Sequence, residues 1–228
     1  MLKGRYLLKP VAYSIALCCL LSACNDTKVD KAIDEALAGL DGKTKVQIAN
    51  VSASPLAFHM ASFTASGKAP VIHEQKHRVA LLNMNQPPLI IDVRRSYSDD
   101  RLVVQAFDHA AAKSSEYLQY KSSMETPLQV LAWSHQNQLK LAVLPWQSSR
   151  INGVFRLRIF AIQDATTIQH GSSRFVLKAG ELTDWLSVQR CVNELVLNAV
   201  QLDICQATQG LSYIAVVDDK TLVSLIQQ

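Results

Sequence analysis

An all-β chain of two tandem β-sandwiches is the architecture this sequence predicts, and three observations carry the expectation. Short β-branched or apolar runs recur between clusters of Pro, Asn, Ser and Asp. From Lys43 onward the hydrophobic period is two rather than 3.6. Finally, two segments of the first half of the globular region return, in the same order, in the second half.

The chain opens differently. Lys3, Arg5 and Lys9 stand without an acid, and an uncharged stretch from Pro10 to Ala23 follows. A charged n-region, an apolar h-region and a small-residue cleavage site form a secretory signal, predicted over residues 1–23. The run is too short for a spanning helix, which needs roughly 20 apolar residues. It closes on Leu21-Ser22-Ala23-Cys24, which resembles the lipobox of bacterial lipoproteins. That resemblance implies a Cys24 lipidated on sulfur and acylated as the first residue after cleavage. Attachment to a lipid bilayer then rests on the acyl chains, at about 0.8 kcal/mol per buried methylene. Asn25 follows the cysteine and Asp26 stands one place later than an inner-membrane retention acid, so the outer membrane is expected over the inner one.

Residues 24–43 read as a tether with one short helix. Val29, Ile33, Leu37 and Leu40 fall on one helical stripe, Asp26 stands at its start and Gly42 follows as a stop. The stripe lacks the basic face and aromatics of a membrane-surface helix, and it predicts docking on the globular part or on another chain.

The first sandwich is expected over 44–146. Lys45 to Val51 alternates cleanly, and Arg78–Leu82, Pro88–Val93 and Arg101–Phe107 supply further strands, separated by Asn85-Gln86-Pro87-Pro88 and Ser98-Asp99-Asp100. Ala110 to Met124 reads equally as a helix or a long crossover. Pro145 to Gly153 joins the halves, with 147–153 as the linker, and the second sandwich occupies 154–228. The duplication aligns Lys45–Val51 with Arg156–Ile162, cation first and apolar residues in the same places. It also aligns Leu128–Trp133 with Leu211–Val216, with Leu139 and Leu222 at equal distances beyond. Units of this size suit immunoglobulin-like sandwiches.

Asn50-Val51-Ser52-Ala53-Ser54-Pro55, after a first alternating strand, resembles the start of a family of secreted bacterial domains of unknown function. These occur as tandem immunoglobulin-like copies, often on lipoproteins, with an Ala-Ser-Pro turn after the first strand. Leu128–Leu139 and Leu211–Leu222 are similar to that family's last hairpin, whereas the second copy has Gln163-Asp164-Ala165 in place of the turn. The resemblance implies a fold and an envelope location, and it brings no catalytic residues.

Without residues 1–23 the chain holds 20 Lys+Arg against 19 Asp+Glu, a formal +1. This balance, with signs interspersed, leaves no electrostatic footprint for nucleic acid. Of the five cysteines, Cys18 and Cys19 leave with the signal and Cys24 is consumed by lipid. The remaining pair, Cys191 and Cys205, is expected to be bridged in an oxidising compartment. The segment between them is short enough to run out and back.

One string looks catalytic. His73-Glu74-Gln75-Lys76-His77 is literally H-E-x-x-H, in which two histidines one helical turn apart ligate zinc and the glutamate acts as general base. Lys76 and Arg78 place cations around that site, and Ala80 and Asn83 stand where the extended motif has Gly and a third His. No glutamate occurs between Glu74 and Glu116. Pro70 and the β-rich flanks favour a turn joining two strands, and on a strand the two histidines would lie about 13 Å apart. The expected reading is an exposed polar hairpin. The zinc-hydrolase alternative, with His73 and His77 as ligands and Glu74 as base, requires a helix through 70–84 and a third ligand nearby.

Other candidates carry less. His135 beside Ser134 lacks a nucleophile elbow, and Asp99-Asp100 and Asp218-Asp219 fit solvated turns better than a calcium loop. There is no Gly-rich phosphate loop or Cys-x-x-Cys. Trp133, Trp146, Trp185, Tyr117, Tyr120 and Tyr213 fit a sandwich core before a glycan-stacking surface. Together these readings point to a lipid-anchored envelope module without cofactor, binding a protein or glycan or serving a structural role. An assembly factor docking through the Val29–Leu40 stripe is a further reading.

Overall fold

The structure, a computed structural model, describes residues 41–84 and 86–228. The expected signal segment, Cys24 and the stripe Val29, Ile33, Leu37 and Leu40 lie outside the described residues. Among the described residues the chain forms seventeen strands and no α-helix.

Nine strands come first: β1 (Asp41–Asn50), β2 (Leu56–Phe63), β3 (Arg78–Leu82), β4 (Leu89–Ser96), β5 (Arg101–Asp108), β6 (Lys113–Ser114), β7 (Leu118–Lys121), β8 (Leu128–His135) and β9 (Gln138–Pro145). Sheet I has the order β4-β1-β8-β9, and sheet II the order β3-β2-β5 with β6 and β7 both on the far side of β5. Eight more strands follow: β10 (Phe155–Ala161), β11 (Thr166–His170), β12 (Ser173–Leu177), β13 (Leu186–Val188), β14 (Leu195–Leu197), β15 (Val200–Gln201), β16 (Ser212–Val217) and β17 (Leu222–Gln227). They form sheet III, β13-β10-β16-β17, and sheet IV, β12-β11-β14-β15.

The pairings of the first two sheets recur in the last two. β1 lies antiparallel to β4 and parallel to β8, as β10 lies antiparallel to β13 and parallel to β16. β2 joins β3 and β5 as β11 joins β12 and β14. The duplication read from β1 and β10 matches in position, because Val46 and Ile48 occupy the inner face as Leu157 and Ile159 do. The second alignment is displaced. Val46 stands opposite Leu128 but Leu157 stands opposite Tyr213, so the equivalent of Leu128 is two residues later than Leu211. A slip of two keeps every side chain on its face, which is why alternation alone did not expose it.

The inner faces of sheets I and II close over Val46, Ile48, Leu56, Phe58, Leu102, Val104, Leu128 and Val130. Those of III and IV close over Leu157, Ile159, Ile168, Leu195, Leu197 and Ala215. A third cluster lies back to back between sheets I and III, where Ala49, Leu131 and Trp133 meet Phe160, Ile162, Ile214, Val216 and Ile226. Strands buried on both faces read as unbroken apolar runs; β16 is buried at every position and β8 through its first six. At 180, Gly adopts φ +87°, and a Cβ there would lie 3.2 Å from Cζ2 of Trp133.

An amide chain crosses the same layer. Gln129 Nε2 donates to Gln47 Oε1 at 2.6 Å, Gln228 Nε2 donates to Gln129 Oε1 at 3.0 Å, and Gln47 Nε2 donates to the Gln227 carbonyl at 3.1 Å. Buried amides that bond one another and the Gln227 carbonyl tie the register of the two sheets, because a slip of either would orphan several of them at once.

One expectation is corrected by these strands, and one reading left open is decided. The helix–tether reading of 24–43 does not hold at its end: Gly42 lies in β1 opposite Arg95, where Met124 Sδ would be 1.7 Å from any Cβ. It lies inside a strand and so does not serve as a helix stop. The open segment 110–124 is not helical: a turn with Ala112 at φ +51° leads into β6 and β7. Strand β1 begins at Asp41, inside the stretch expected as tether.

The Cys191–Cys205 disulfide is formed. Between the two cysteines the chain runs out in β14 and back in β15 through Asn198 and Ala199, both at positive φ. Cys191 packs on the Leu195, Leu197 and Ile204 cluster. Replacing both cysteines with Ala is expected to lower unfolding free energy by about 3 kcal/mol, the chain-entropy value for a loop of this length. Urea denaturation of the oxidised and double-variant chains checks it, and equal midpoints would refute it.

Candidate functional site

The His73–His77 string occupies the connection from β2 to β3. Ile72 is its buried anchor, packed with Phe63 and Val103. His59 in β2 holds the anchor from below, with Nδ1 2.7 Å from the Ile72 carbonyl. That imidazole is 3% exposed and edge-on to Phe107 at 4.8 Å. Burial pushes its pKa down, so it stands neutral with Nδ1–H donating.

Beyond Ile72 the loop is open to solvent. His73, Glu74, Gln75 and Lys76 are exposed. Residues 75–77 make a single 3-10 turn, closed by the His77 amide donating to the Glu74 carbonyl at 3.0 Å. Arg78 is already extended and starts β3. The helix required through 70–84 is replaced by this turn. Glu74 is paired with Lys76, Oε2 to Nζ 2.7 Å, and that bond holds its carboxyl below the usual range. Among the described residues, no three His, Cys, Asp or Glu side chains are grouped to hold a metal. The full chain purified without chelator is expected to carry no stoichiometric zinc by elemental mass spectrometry. One zinc per chain, lost on His73→Ala, would restore the hydrolase reading.

The acidic pairs serve turns. Asp99 Oδ2 accepts from Ser62 Oγ at 2.6 Å and from the Ser96 amide at 3.1 Å. Asp218 Oδ1 accepts from the Lys220 and Thr221 amides and the Thr221 hydroxyl, while Asp219 accepts from Asn198 Nδ2. His135 is drawn to a carboxylate rather than to Ser134. Its Nε2 is 3.2 Å from Asp164 Oδ2, tying the end of β8 to the loop after β10. A cavity of about 400 Å³ opens there between the hairpins, lined by His135, Asp164, Asp218 and Asp219. No Ser, Thr, Cys or Lys is among its lining residues.

The aromatic residues divide. Trp133 and Tyr213 are core, as expected. Tyr117 is exposed, and its hydroxyl donates to the Pro70 carbonyl at 3.3 Å. Trp185 differs from both: half-buried, it carries the guanidinium carbons of Arg156 and Arg158 at 5.6 and 5.7 Å from its ring centroid.

No family model matches this chain, and no curated protein matches it.

Proposed function

We propose that this chain is a bacterial cell-envelope lipoprotein, anchored through acylated Cys24 and carrying two tandem immunoglobulin-like sandwiches as a non-catalytic binding or structural module. The observation that carries the reading is the Lys3–Cys24 segment, whose charge, apolar run and Leu-Ser-Ala-Cys ending match a lipoprotein signal. The Cys191–Cys205 bridge supports it, because disulfides persist where the compartment is oxidising. The exposed turn at His73–Lys76 favours a surface role for that motif over a zinc centre. Loop clusters at sandwich ends suit recognition of a protein or glycan, by analogy of fold alone. The outer membrane is the proposed location.

The test is chemical. Expression in a bacterium with a lipoprotein-processing pathway should yield a chain that begins at Cys24 and has gained the mass of a diacylglyceryl group and an amide-linked acyl chain. Cys24→Ala should abolish both the acyl mass and detergent-phase partitioning. An unmodified cysteine in the mature chain would refute the anchor.

A further inference from the structure

We propose that Arg156, Arg158 and Trp185 form a phosphate-binding site on the back face of sheet III. The two arginines alternate with the inward Leu157 and Ile159 along β10, so both stand on the face that carries Phe160. Phe160 is covered by sheet I, but the two arginines and Trp185 are only half-buried. Trp185 immediately precedes β13, whose Leu186 and Ser187 stand opposite Leu157 and Arg156. It is thereby brought level with Arg158.

Like charges two residues apart on one strand face repel, and such positions are ordinarily balanced by a cross-strand acid. None is present here. Among the described residues, neither guanidinium has a carboxylate within 4.0 Å; the ion pairs found are Lys43–Asp92, Lys76–Glu74, His135–Asp164 and Lys140–Glu116. Exposed Asp184 acts on Arg158 only through space. The indole and three neutral oxygens hold the pair instead. Arg156 donates through Nε to Ser149 Oγ at 3.2 Å and through Nη1 to Ser187 Oγ, and Arg158 donates through Nε to the Thr183 carbonyl at 3.1 Å. Three terminal nitrogens, one on Arg156 and two on Arg158, keep their donors free of protein acceptors among the described residues. The Ser149 and Ser187 hydroxyls, accepting from Arg156, retain their own protons to donate.

This set is two cations, three guanidinium nitrogens with free donors and two hydroxyl donors, and the one carboxylate that acts on it, Asp184, makes no ion pair with either arginine. Guanidinium forks match oxyanions bidentately, and stacking on an indole removes much of the ordering cost. A carboxylate has two oxygens to offer, whereas a phosphate monoester has three and a second negative charge. The site therefore suits a phosphate, whether free in solution or on a lipid headgroup. The proposal does not depend on the lipid-anchor reading.

The test follows the Trp185 indole N–H by NMR in the full chain, with the Trp133 indole as the internal report of the fold. Inorganic phosphate is titrated against chloride at equal ionic strength. Sedimentation with phosphatidylcholine vesicles, with and without phosphatidic acid, is compared for wild type and Arg158→Gln. A saturable phosphate-specific shift of Trp185, weakened about tenfold (1.4 kcal/mol) in Arg158→Gln, would establish a soluble phosphate ligand. Arg158-dependent binding to the phosphatidic acid vesicles alone would establish the headgroup. Arg158→Lys keeps the charge and loses the fork, so it should bind between wild type and Arg158→Gln, and it serves if the latter disturbs the Trp133 signal. Equal shifts with chloride and phosphate, and vesicle binding indifferent to Arg158, would overturn the proposal and leave the trio as packing.

Discussion

Trp133→Ala is expected to cost about 3–5 kcal/mol of stability, the range for truncating a buried aromatic. Its ring is 4% exposed, edge-on to Phe160 at 5.0 Å, and backed by Gly180. The lost contacts are those that hold sheet I against sheet III, so the damage is not confined to one sheet pair. Equilibrium urea denaturation should show a lower midpoint. It should also show a broader or split transition, because two sheet pairs that no longer share a wall unfold less cooperatively. Tyr97→Ala, at a side chain 57% exposed, should change stability by no more than about 0.5 kcal/mol. A Trp133 loss as small as that control would mean that the back-to-back layer contributes little.

Asn50 should be nearly as sensitive, for a different reason. Its side chain is 3% exposed and closes the turn after β1. Nδ2 donates to the Ser54 and Leu82 carbonyls at 2.8 and 3.0 Å, while Oδ1 accepts from the Ser52 amide and hydroxyl at 3.0 and 2.7 Å. Asn50→Ala orphans these partners where water is largely excluded, at an expected cost of about 2–4 kcal/mol. Asn50→Asp removes the donors and sets a carboxylate against two carbonyl oxygens. The introduced carboxyl would have a raised folded-state pKa, so the penalty of its charge is full above that pKa. It is relieved as pH falls, and is absent below the unfolded value of about 3.9. The gap in melting temperature to wild type should therefore narrow from pH 7 down to pH 4, without closing, because a protonated carboxyl donates one bond where the amide donates two. A gap that stays constant with pH would sink the electrostatic account.

Asn50 also gives the Ser52-Ala53-Ser54-Pro55 string a physical meaning. The sequence displayed the turn, but the residue that fastens it to the end of β3 became visible only through its long-range bond to Leu82. Strands β1, β3, β4, β5, β8, β10 and β16 were legible because alternation and turn residues agree locally, and the all-β class followed. The second apolar face of β8 and β16 was present in the runs Val130–Trp133 and Tyr213–Val217, which are too apolar for a face turned to solvent. The exposed turn at His73–Lys76 was legible from Pro70 and the flanking strands. Arg156 and Arg158 were read only as the polar half of an alternating strand. Their meeting at Trp185 depends on the pairing of β10 with β13, and no local pattern encodes a partner some thirty residues away.

That same nonlocality has a kinetic side. β1 receives its parallel neighbour only when β8 arrives, about 80 residues later, and β10 must wait for β16 across a loop of some 50. Antiparallel hairpins such as β8–β9 and β2–β3 close cheaply, whereas the parallel pairs set the height of the folding barrier. Until β8 docks, Leu131 and Trp133 have no wall, and until β16 docks, sheet III has none to offer. The chain should therefore refold slowly for its size, with β1 and β10 gaining amide protection late and together, and its least soluble species should be the state with one sheet pair complete and its back face bare.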